Sequence, residues 1–324
     1  MKSAKIVGLG KYLPPKRLGN HDLEKIVETS DEWIRTRTGI EERRLAEGQS
    51  ASDLAYHASK QALKNAGIKS SDLDLIIVAS ITPDSFFPST ACRLQKLLKA
   101  SKAAAFDILA ACSGFVYGLT CGWQMISGGL YQNILVVGSE VLSVVTDWQD
   151  RSTCVLFGDG AGAAVLTQSN SKCFLSSHLG ADGSRSDLLC LPAGGSRKPA
   201  SHTTVEKKLH CIKMRGNELF RVAVRVMVDS ARIALSKAGL KENDLDILIP
   251  HQANKRIIDS VARTLKIEDK VYINVSRYGN MSSASCAVAL CEAYQDGKIK
   301  KGDIVVLDTF GGGLVWGSCV IKWV

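Results

Sequence analysis

The chain has 324 residues, of which 45% are hydrophobic and 23% charged, and its formal net charge is +9. This composition is typical of a globular protein and excludes a disordered or fibrous chain, and no apolar run approaches the roughly 18 residues that span a bilayer, so we expect no membrane insertion. The positive charge predicts an anionic partner, but no nucleic-acid-binding motif accompanies it, so we expect no nucleic-acid partner.

The N-terminal stretch and the cysteines indicate the cellular compartment. Residues 1–15 lack the charged start, apolar middle and small-residue cleavage site of a secretion signal, which favours a cytoplasmic protein. The ten cysteines are scattered along the sequence without any C-x-x-C pair. This spacing argues against a disulfide framework and against a structural zinc site. For most of the cysteines we therefore expect a buried structural role.

An internal repeat organises the chain. Residues 58–80 read ASKQALKNAGIKSSDLDLIIVAS, and residues 230–252 read SARIALSKAGLKENDLDILIPHQ. Each copy predicts an alanine-rich helix that ends at a glycine able to adopt a left-handed cap. An acidic turn follows, and then a continuous apolar strand, Leu75–Ala79 in one copy and Ile247–Pro250 in the other. Strands of this kind lie in a sheet that is covered on both faces.

The repeat continues beyond these segments. The apolar strand at 134–137 corresponds to the one at 304–307, and the glycine-rich turn at 157–160 corresponds to the one at 310–313. We therefore predict an α/β chain built from two βαβ-rich halves, residues 1–170 and 171–324, packed against each other. Because equivalent strand ends meet across such a pseudo-twofold axis, a functional site there draws residues from both halves.

Cys112 is the candidate nucleophile of the first half. Residues 103–109 predict a buried strand and residues 115–127 a helix, so Cys112 lies where a strand turns into a helix N-terminus. The partial positive charge of the helix favours a thiolate there, and its backbone N–H groups can bind an oxyanion. The alternative is a core cysteine among small neighbours.

The candidate partners of Cys112 come from the second half. His251 ends the repeated apolar strand, and Asn280 lies in a turn before the alanine-rich helix predicted at 284–294. A papain-type protease also combines Cys, His and Asn, but its C-G-[SA]-C-[WY] context is absent around Cys112. The glycine-rich run at 158–162 leads into a β-type segment rather than a helix, which argues against a dinucleotide-binding loop.

The motifs, taken in order along the chain, resemble those of the β-ketoacyl-acyl carrier protein synthase III family, which initiates type II fatty-acid synthesis. The resemblance spans essentially the whole sequence. It implies a thiolase-like α/β fold in which the duplicated halves form a five-layered αβαβα sandwich. The segments that carry it are residues 31–34, 37–40, 87–89, 111–112, 150–151, 157–162, 216–218, 251–254, 278–280 and 310–317.

The resemblance also implies roles for individual residues. Cys112, His251 and Asn280 would form the catalytic triad, and the backbone N–H groups of Cys112 and Gly312 would form the oxyanion hole. The other implied roles are coenzyme A binding by Trp33, Arg37, Arg151, Gly216 and Asn254, a homodimer in which Phe87 reaches the acyl pocket of the partner subunit, and docking of an acidic carrier protein by Arg221, Arg256 and Arg263. For Arg256 and Arg263, solvated helix charges are the alternative.

The activity implied is a decarboxylating condensation of an acyl-CoA primer, expected to be acetyl-CoA, with malonyl-acyl carrier protein. Cys112 would carry the acyl group, which splits one difficult reaction into two easier steps. His251 and Asn280 would stabilise the enolate that decarboxylation releases. Because decarboxylation drives the condensation, we expect no metal and no redox cofactor. The sequence leaves the length and branching of the primer open.

Two rival functions and one departure from the family pattern accompany this prediction. A relative with the same fold could acylate Cys112 without decarboxylation, as an acyltransferase or a hydroxymethylglutaryl-CoA synthase does. A non-catalytic partner subunit is the other rival, although such proteins generally lose the nucleophile. Met281 replaces the threonine that usually follows the catalytic asparagine, and a bulkier side chain there could tilt the loop or narrow the tunnel.

Overall fold

The computed structural model describes residues 3–324, and the secondary structure alternates strands and helices along the chain. The strands are β1 (Ser3–Tyr12), β2 (Lys16–Gly19), β3 (Glu42–Leu45), β4 (Leu75–Ala79), β5 (Ala104–Ile108), β6 (Asn133–Val141), β7 (Asp159–Ser169), β8 (Phe174–Ala181), β9 (Leu189–Cys190), β10 (Lys213–Met214), β11 (Ile247–Pro250), β12 (Ile304–Gly311) and β13 (Val315–Lys322). The helices are α1 (Asn20–Leu23), α2 (Asp31–Thr38), α3 (Ala51–Ala66), α4 (Thr90–Leu98), α5 (Gly114–Ser127), α6 (Arg151–Cys154), α7 (His202–Glu206), α8 (Gly216–Lys237), α9 (Lys255–Leu265), α10 (Val275–Tyr278) and α11 (Ser283–Gln295).

Two sheets repeat one topology. The first has the strand order β1-β7-β6-β4-β5, and the second has the order β8-β13-β12-β11. In each sheet the first three strands are antiparallel and the pair that follows, β6 with β4 or β12 with β11, is parallel. The place equivalent to β5 holds only an isolated parallel bridge between Leu248 and Val271. The predicted duplication is therefore present, with one strand reduced in the second copy.

The repeated helices and strands form as the sequence predicts. Helix α3 ends at Gly67, which has a φ of +66°, and Gly239 just after α8 has a φ of +75°. Both are left-handed conformations that glycine adopts without steric cost. The strands β4 and β11 cover the predicted ranges, and every residue in them is buried. The apolar runs thus mark strands covered on both faces.

The helices and the two sheets form five layers, and three apolar cores lie between these layers. Helices α3 and α4 cover one face of the first sheet, and α8 and α9 cover one face of the second. The central core is formed by α5 and α11 together with the inner faces of both sheets. The arrangement is the αβαβα sandwich of the thiolase-like fold. Because the first sheet ends at Ser169 and the second begins at Phe174, we propose residues 1–170 and 171–324 as the two structural units.

The strand before Cys112 differs from the prediction. Residues 103–109 were expected to be buried, but β5 is an edge strand whose residues are partly or fully exposed, and Leu109 is 81% exposed. The reason is topological, because β5 pairs only with β4 and its other edge has no neighbour within residues 3–324. An apolar sequence alone does not distinguish a central strand from an edge strand.

No helix among residues 3–324 is long and apolar enough to cross a membrane.

Glycine residues allow the layers to approach each other closely. A Cβ added to Gly162 on β7 would lie 2.5 Å from the Cβ of Ala287 and 2.7 Å from its carbonyl carbon on α11. We expect Gly162→Ala to lower the free energy of unfolding by about 1–3 kcal/mol, as overpacked cores do. Thermal and denaturant unfolding measure the loss. Gly183→Ala is the matched control, because a Cβ there meets no atom within 4 Å; equal stability of the two variants would contradict the prediction.

Candidate active site

The three predicted catalytic side chains line one cavity of about 580 Å³. Cys112 comes from the first half, whereas His251 and Asn280 come from the second, as the repeat predicts. The three residues are 7%, 3% and 8% exposed, so each is almost completely shielded from bulk water. A cavity that brings together a thiol, an imidazole and a carboxamide can hold a thioester against a nucleophile and two hydrogen-bonding groups.

Cys112 lies in a short 3-10 turn, Ala111–Ser113, between β5 and the first turn of α5. Ala111 has a φ of +43°, a left-handed conformation that is uncommon for a residue with a Cβ. The turn packs closely against the second half, since a Cβ added to Gly311 would lie 2.7 Å from the backbone nitrogen of Cys112. The position of Cys112 is therefore fixed by strands from both halves.

The protonation of Cys112 differs from the prediction. The helix N-terminus was expected to favour the thiolate, but burial raises the pKa of Cys112 to about 12, with a smaller rise from the carboxylate of Glu140. The hydroxyl of Ser282 acts in the opposite direction and lowers this pKa. Desolvation dominates because a charge in this enclosed place loses most of its hydration. In the free protein Cys112 is a neutral thiol at pH 7.

His251 follows β11, and its backbone N–H donates to the carbonyl of Asp308 at 2.8 Å. The Nδ1 atom of its imidazole is buried and has no hydrogen-bond partner in the described part of the chain. Burial lowers the pKa of His251 to about 3, so the imidazole is neutral at physiological pH. A neutral imidazole donates from one ring nitrogen only, and it is a weak base for a thiol.

Asn280 is held by its backbone and by its side-chain oxygen. Its N–H donates to the carbonyl of Leu156 at 2.8 Å, and its own carbonyl accepts from the N–H of Gly158 at 3.0 Å. The side-chain oxygen accepts from the backbone N–H of Ser282 at 2.8 Å. Because the oxygen is occupied, the amide orientation is fixed and the NH₂ group is available as a donor.

The triple glycine 311–313 lies beside Cys112. Gly311 lines the cavity and contacts the Cys112 turn, whereas a Cβ on Gly312 would lie 2.8 Å from the carbonyl of Leu189. Neither position has room for a side chain. The assignment of Gly312 to the oxyanion hole stays a prediction. Gly311 also forms part of this wall, although the motifs gave it no individual role.

Four of the five residues predicted to bind coenzyme A line the cavity, whereas Arg151 does not. Trp33, Arg37, Gly216 and Asn254 all line it, and Arg37 is exposed, which places it at the mouth. The guanidinium of Arg151 stacks over the indole of Trp33, with its central carbon 4.8 Å from the ring centroid. In this conformation the two groups contact each other directly, so a ring that binds between them must first separate them.

Asn254 has a structural role as well. Its side-chain oxygen accepts from the N–H of Arg256 and caps α9, and its amide donates to the carbonyl of Arg37 at 3.2 Å. The capping bond fixes the first turn of α9 at the cavity wall.

The remaining predicted residues lie on the surface. Phe87 is 85% exposed, as is its neighbour Phe86, and neither lines the cavity. Arg221 and Arg256 are exposed and line the cavity mouth, and the Arg256 guanidinium lies 5.4 Å from the ring centroid of Phe220. Arg263 is exposed in the last turn of α9, away from the cavity lining.

Met281 does not narrow the cavity. Its side chain is fully buried among Leu13, Tyr278 and Val288, and its sulfur is the atom that a Cβ on Gly160 would meet first. The backbone N–H of Met281 donates to the hydroxyl of Ser285 at 2.8 Å. The side chain thus anchors the Asn280 turn to the core from the side opposite the cavity.

No group of three or more His, Cys, Asp or Glu side chains that could hold a metal ion is present among the described residues.

The comparisons with known proteins cover the whole chain. Two family models, described as 3-oxoacyl-[acyl-carrier-protein (ACP)] synthase III and its C-terminal part, match residues 106–183 and 235–323. The chain is 58% identical to the β-ketoacyl-[acyl-carrier-protein] synthase III of Caldanaerobacter subterraneus subsp. tengcongensis, over 99% of this chain and 98% of that protein. It is 53% identical to the enzyme of that name from Desulfitobacterium hafniense, over 100% and 98%.

A solved structure gives the same result. The crystal structure of 3-oxoacyl-[acyl-carrier-protein] synthase III from Aquifex aeolicus matches with a TM-score of 0.92 and 48% sequence identity, covering 99% of this chain and 100% of that one.

The protonation state of His251 can be tested by NMR. We expect the ¹⁵N signals of the His251 imidazole to remain those of a neutral ring from pH 8 to pH 5, because burial holds its pKa near 3. The unfolded imidazole takes up a proton near pH 6.5. The contribution of the neutral His251 to the free energy of unfolding is therefore fully present above pH 6.5 and is lost as the pH falls from 6.5 towards 3. A titration of His251 with a midpoint near 6.5 would contradict this prediction.

The packing of Met281 predicts the effect of restoring the usual threonine. We expect Met281→Thr to lower the free energy of unfolding by about 2–4 kcal/mol, because it opens a cavity and buries a hydroxyl in an apolar cluster. The KM for thioester substrates should change little, since the side chain faces away from the cavity. Denaturant unfolding and steady-state kinetics check the two parts. An unchanged stability with an altered KM would mean that Met281 faces the substrate.

Proposed function

Because the chain belongs to the β-ketoacyl-acyl carrier protein synthase III family of condensing acyltransferases, which starts fatty-acid synthesis, we propose that it condenses acetyl-CoA with malonyl-acyl carrier protein through an acyl-Cys112 intermediate. The observation that carries the proposal is the meeting of Cys112, His251 and Asn280 in one enclosed cavity. The products are carbon dioxide and a β-ketoacyl-acyl carrier protein.

In the first half-reaction the sulfur of Cys112 attacks the thioester carbonyl of the primer and coenzyme A leaves. The developing oxyanion would be stabilised by backbone N–H groups of the Cys112 turn and of Gly312, since donors already aimed at such a charge need no reorganisation. The cationic residues at the mouth, Arg37, Arg221 and Arg256, support binding of a phosphorylated cofactor there.

In the second half-reaction malonyl-acyl carrier protein enters the same cavity. His251 and the free NH₂ group of Asn280 would donate to the thioester oxygen and stabilise the enolate formed as carbon dioxide leaves. The neutral state of His251 suits this role, because a neutral imidazole donates a hydrogen bond without transferring its proton to the enolate. The enolate carbon then attacks the carbonyl carbon of the acyl group on Cys112. The new carbon–carbon bond forms, the acyl–sulfur bond breaks, and Cys112 is released as a thiolate.

The proposal includes the remaining predicted partners. Trp33 and Arg151 would hold the adenine of coenzyme A after they separate, and Gly216 and Asn254 would border the pantetheine arm. Arg221, Arg256 and Arg263 would dock the acidic carrier protein, and Phe87 would reach the partner subunit in a homodimer. The exposure of Phe86 and Phe87 supports a covered surface, because two adjacent large aromatic side chains rarely stay in water. We place the homodimer in the cytoplasm, without a metal or redox cofactor.

The test follows the two half-reactions separately. Incubation with a panel of acyl-CoAs, analysed by intact-protein mass spectrometry, should show an acyl adduct on the native enzyme and none on Cys112→Ala, with acetyl-CoA reacting fastest. Addition of malonyl-acyl carrier protein should then release carbon dioxide. Removing one donor, by His251→Ala or Asn280→Ala, should slow this release about 10²–10³-fold.

The control and the contradicting outcomes are specific. Cys121→Ala, on the same helix but away from the cavity lining, should leave both steps intact. Acylation without release of carbon dioxide would favour the acyltransferase or hydroxymethylglutaryl-CoA synthase rival. Unchanged condensation by Cys112→Ala would mean that Cys112 is not the nucleophile.

A further inference from the structure

A buried carboxylate lies behind the nucleophile. Glu140, near the end of β6, is completely buried, and the donors that contact its carboxylate are all neutral. From the end of β4 and the residues after it, Ser80, Ile81 and Thr82 donate to one oxygen at 2.8–3.3 Å. From the start of α11, the hydroxyl of Ser283 donates to the other oxygen at 2.8 Å, and its backbone N–H does so at 3.3 Å.

Within residues 3–324 no cationic side chain forms an ion pair with this carboxylate. The groups that face Glu140 from β4, from α11 and from the Cys112 turn are hydroxyls, backbone N–H groups and the Cys112 thiol. Burial raises the pKa of Glu140, so that the carboxylate has a higher proton affinity than an exposed glutamate. A buried carboxylate that has neutral donors but no cationic partner is costly, because its charge has lost most of its hydration.

Ser282 connects Glu140 with the nucleophile. Its hydroxyl is buried and has no hydrogen-bond partner within residues 3–324, and the next residue, Ser283, bonds Glu140 through both its N–H and its hydroxyl. The Ser282 hydroxyl lowers the pKa of Cys112 and that of Glu140. Ser282 has a φ of +46° and a ψ of −123°, a backbone conformation that residues with a side chain rarely adopt. The same residue fixes Asn280 through its N–H.

We propose that Glu140 accepts the proton of Cys112 through the hydroxyl of Ser282, and so acts as the positioning residue that makes the thiolate available. The proton moves from the Cys112 sulfur to the Ser282 oxygen as the Ser282 proton moves to Glu140. The result is a thiolate and a neutral carboxylic acid, with no net change in charge and no co-reactant.

In the proposed acylation, on which this inference rests for its substrate, the thiolate forms the new carbon–sulfur bond and the bond to coenzyme A breaks. The departing thiolate takes up a proton, and Glu140 returns to the carboxylate. His251 is poorly suited to accept the Cys112 proton, because burial holds its pKa near 3. His251 and Asn280 thus act on the thioester oxygen, whereas Glu140 acts on the Cys112 thiol.

The test needs no thioester substrate, so it stays informative if the proposed function fails. The rate of Cys112 alkylation by iodoacetamide is followed by peptide mass spectrometry from pH 5.5 to pH 9. A proton shared between Cys112 and Glu140 gives a rate that is independent of pH over part of this range. For Glu140→Gln and Ser282→Ala we expect at least a tenfold slower alkylation at pH 6. In Glu140→Gln the rate should rise tenfold per pH unit.

The alternatives give opposite results. If Glu140 only repels negative charge, Glu140→Gln lowers the pKa of Cys112 and alkylation becomes faster at every pH, which would overturn the proposal. If the network is only structural, alkylation of Cys112 changes together with thermal stability while the pH dependence keeps its shape, which would also overturn it. Ser282→Ala keeps the test decisive if Glu140→Gln misfolds, because it leaves the hydrogen bonds of Glu140 in place. Those bonds come from Ser80, Ile81, Thr82 and Ser283.

Two further measurements complete the test. Glu140→Asp should recover part of the pH-independent rate, since it restores a carboxylate. In acyl-transfer assays, Ser282→Ala should slow acylation of Cys112 about 10²-fold, the usual range for a lost acid–base path. Decarboxylation by enzyme that is already acylated should be affected less than acylation. Equal loss in both steps would indicate displacement of Asn280 rather than loss of a proton path.

Discussion

The site depends on the direct contact between α11 and the first sheet. A Cβ on Gly138 would lie 2.5 Å from the carbonyl oxygen of Ser283, and Gly162 approaches Ala287 equally closely. Because these strands carry no side chain there, the first turn of α11 lies against β6 and β7. That turn follows Asn280 and carries Ser283, whose hydroxyl oxygen also lies 2.8 Å from the carbonyl oxygen of Ala79. One close contact thus fixes the distance between residues of different halves.

Burial then determines the chemistry of the groups that meet there. The same low-dielectric surroundings raise the pKa of Cys112 and lower that of His251, so the pair is a thiol and a neutral imidazole rather than an ion pair. In the proposed reaction such a site would bind an uncharged thioester without displacing a salt bridge, and its hydrogen bonds to a developing oxyanion would be strong. Because the thiol of Cys112 is neutral and shielded from water, its proton must leave along a path within the protein if the sulfur is to react as a thiolate.

Much of the fold is predictable from the sequence because its signals are local. The apolar runs of β4 and β11 and the glycines that end the repeated helices define the duplicated unit, and the motifs place Cys112, His251 and Asn280 at strand ends. Contacts between distant segments were not predictable. The exposure of β5 depends on a missing neighbour, the direction of Met281 on Gly160, and the thiol pKa on packing against Gly311. Glu140 gives no signal either, since a single acid in an apolar strand indicates nothing about its partners.

The contact between Trp33 and Arg151 has a consequence for selectivity. Separating the two groups gives up an exposed cation–π interaction of about 0.5–1 kcal/mol. A planar ring inserted between them forms two stacking contacts in return, whereas a thioester carrier without such a ring forms none. If the adenine of coenzyme A binds there as proposed, separating the pair is repaid only for the nucleotide-bearing primer, and malonyl-acyl carrier protein enters the cavity with Trp33 and Arg151 still in contact.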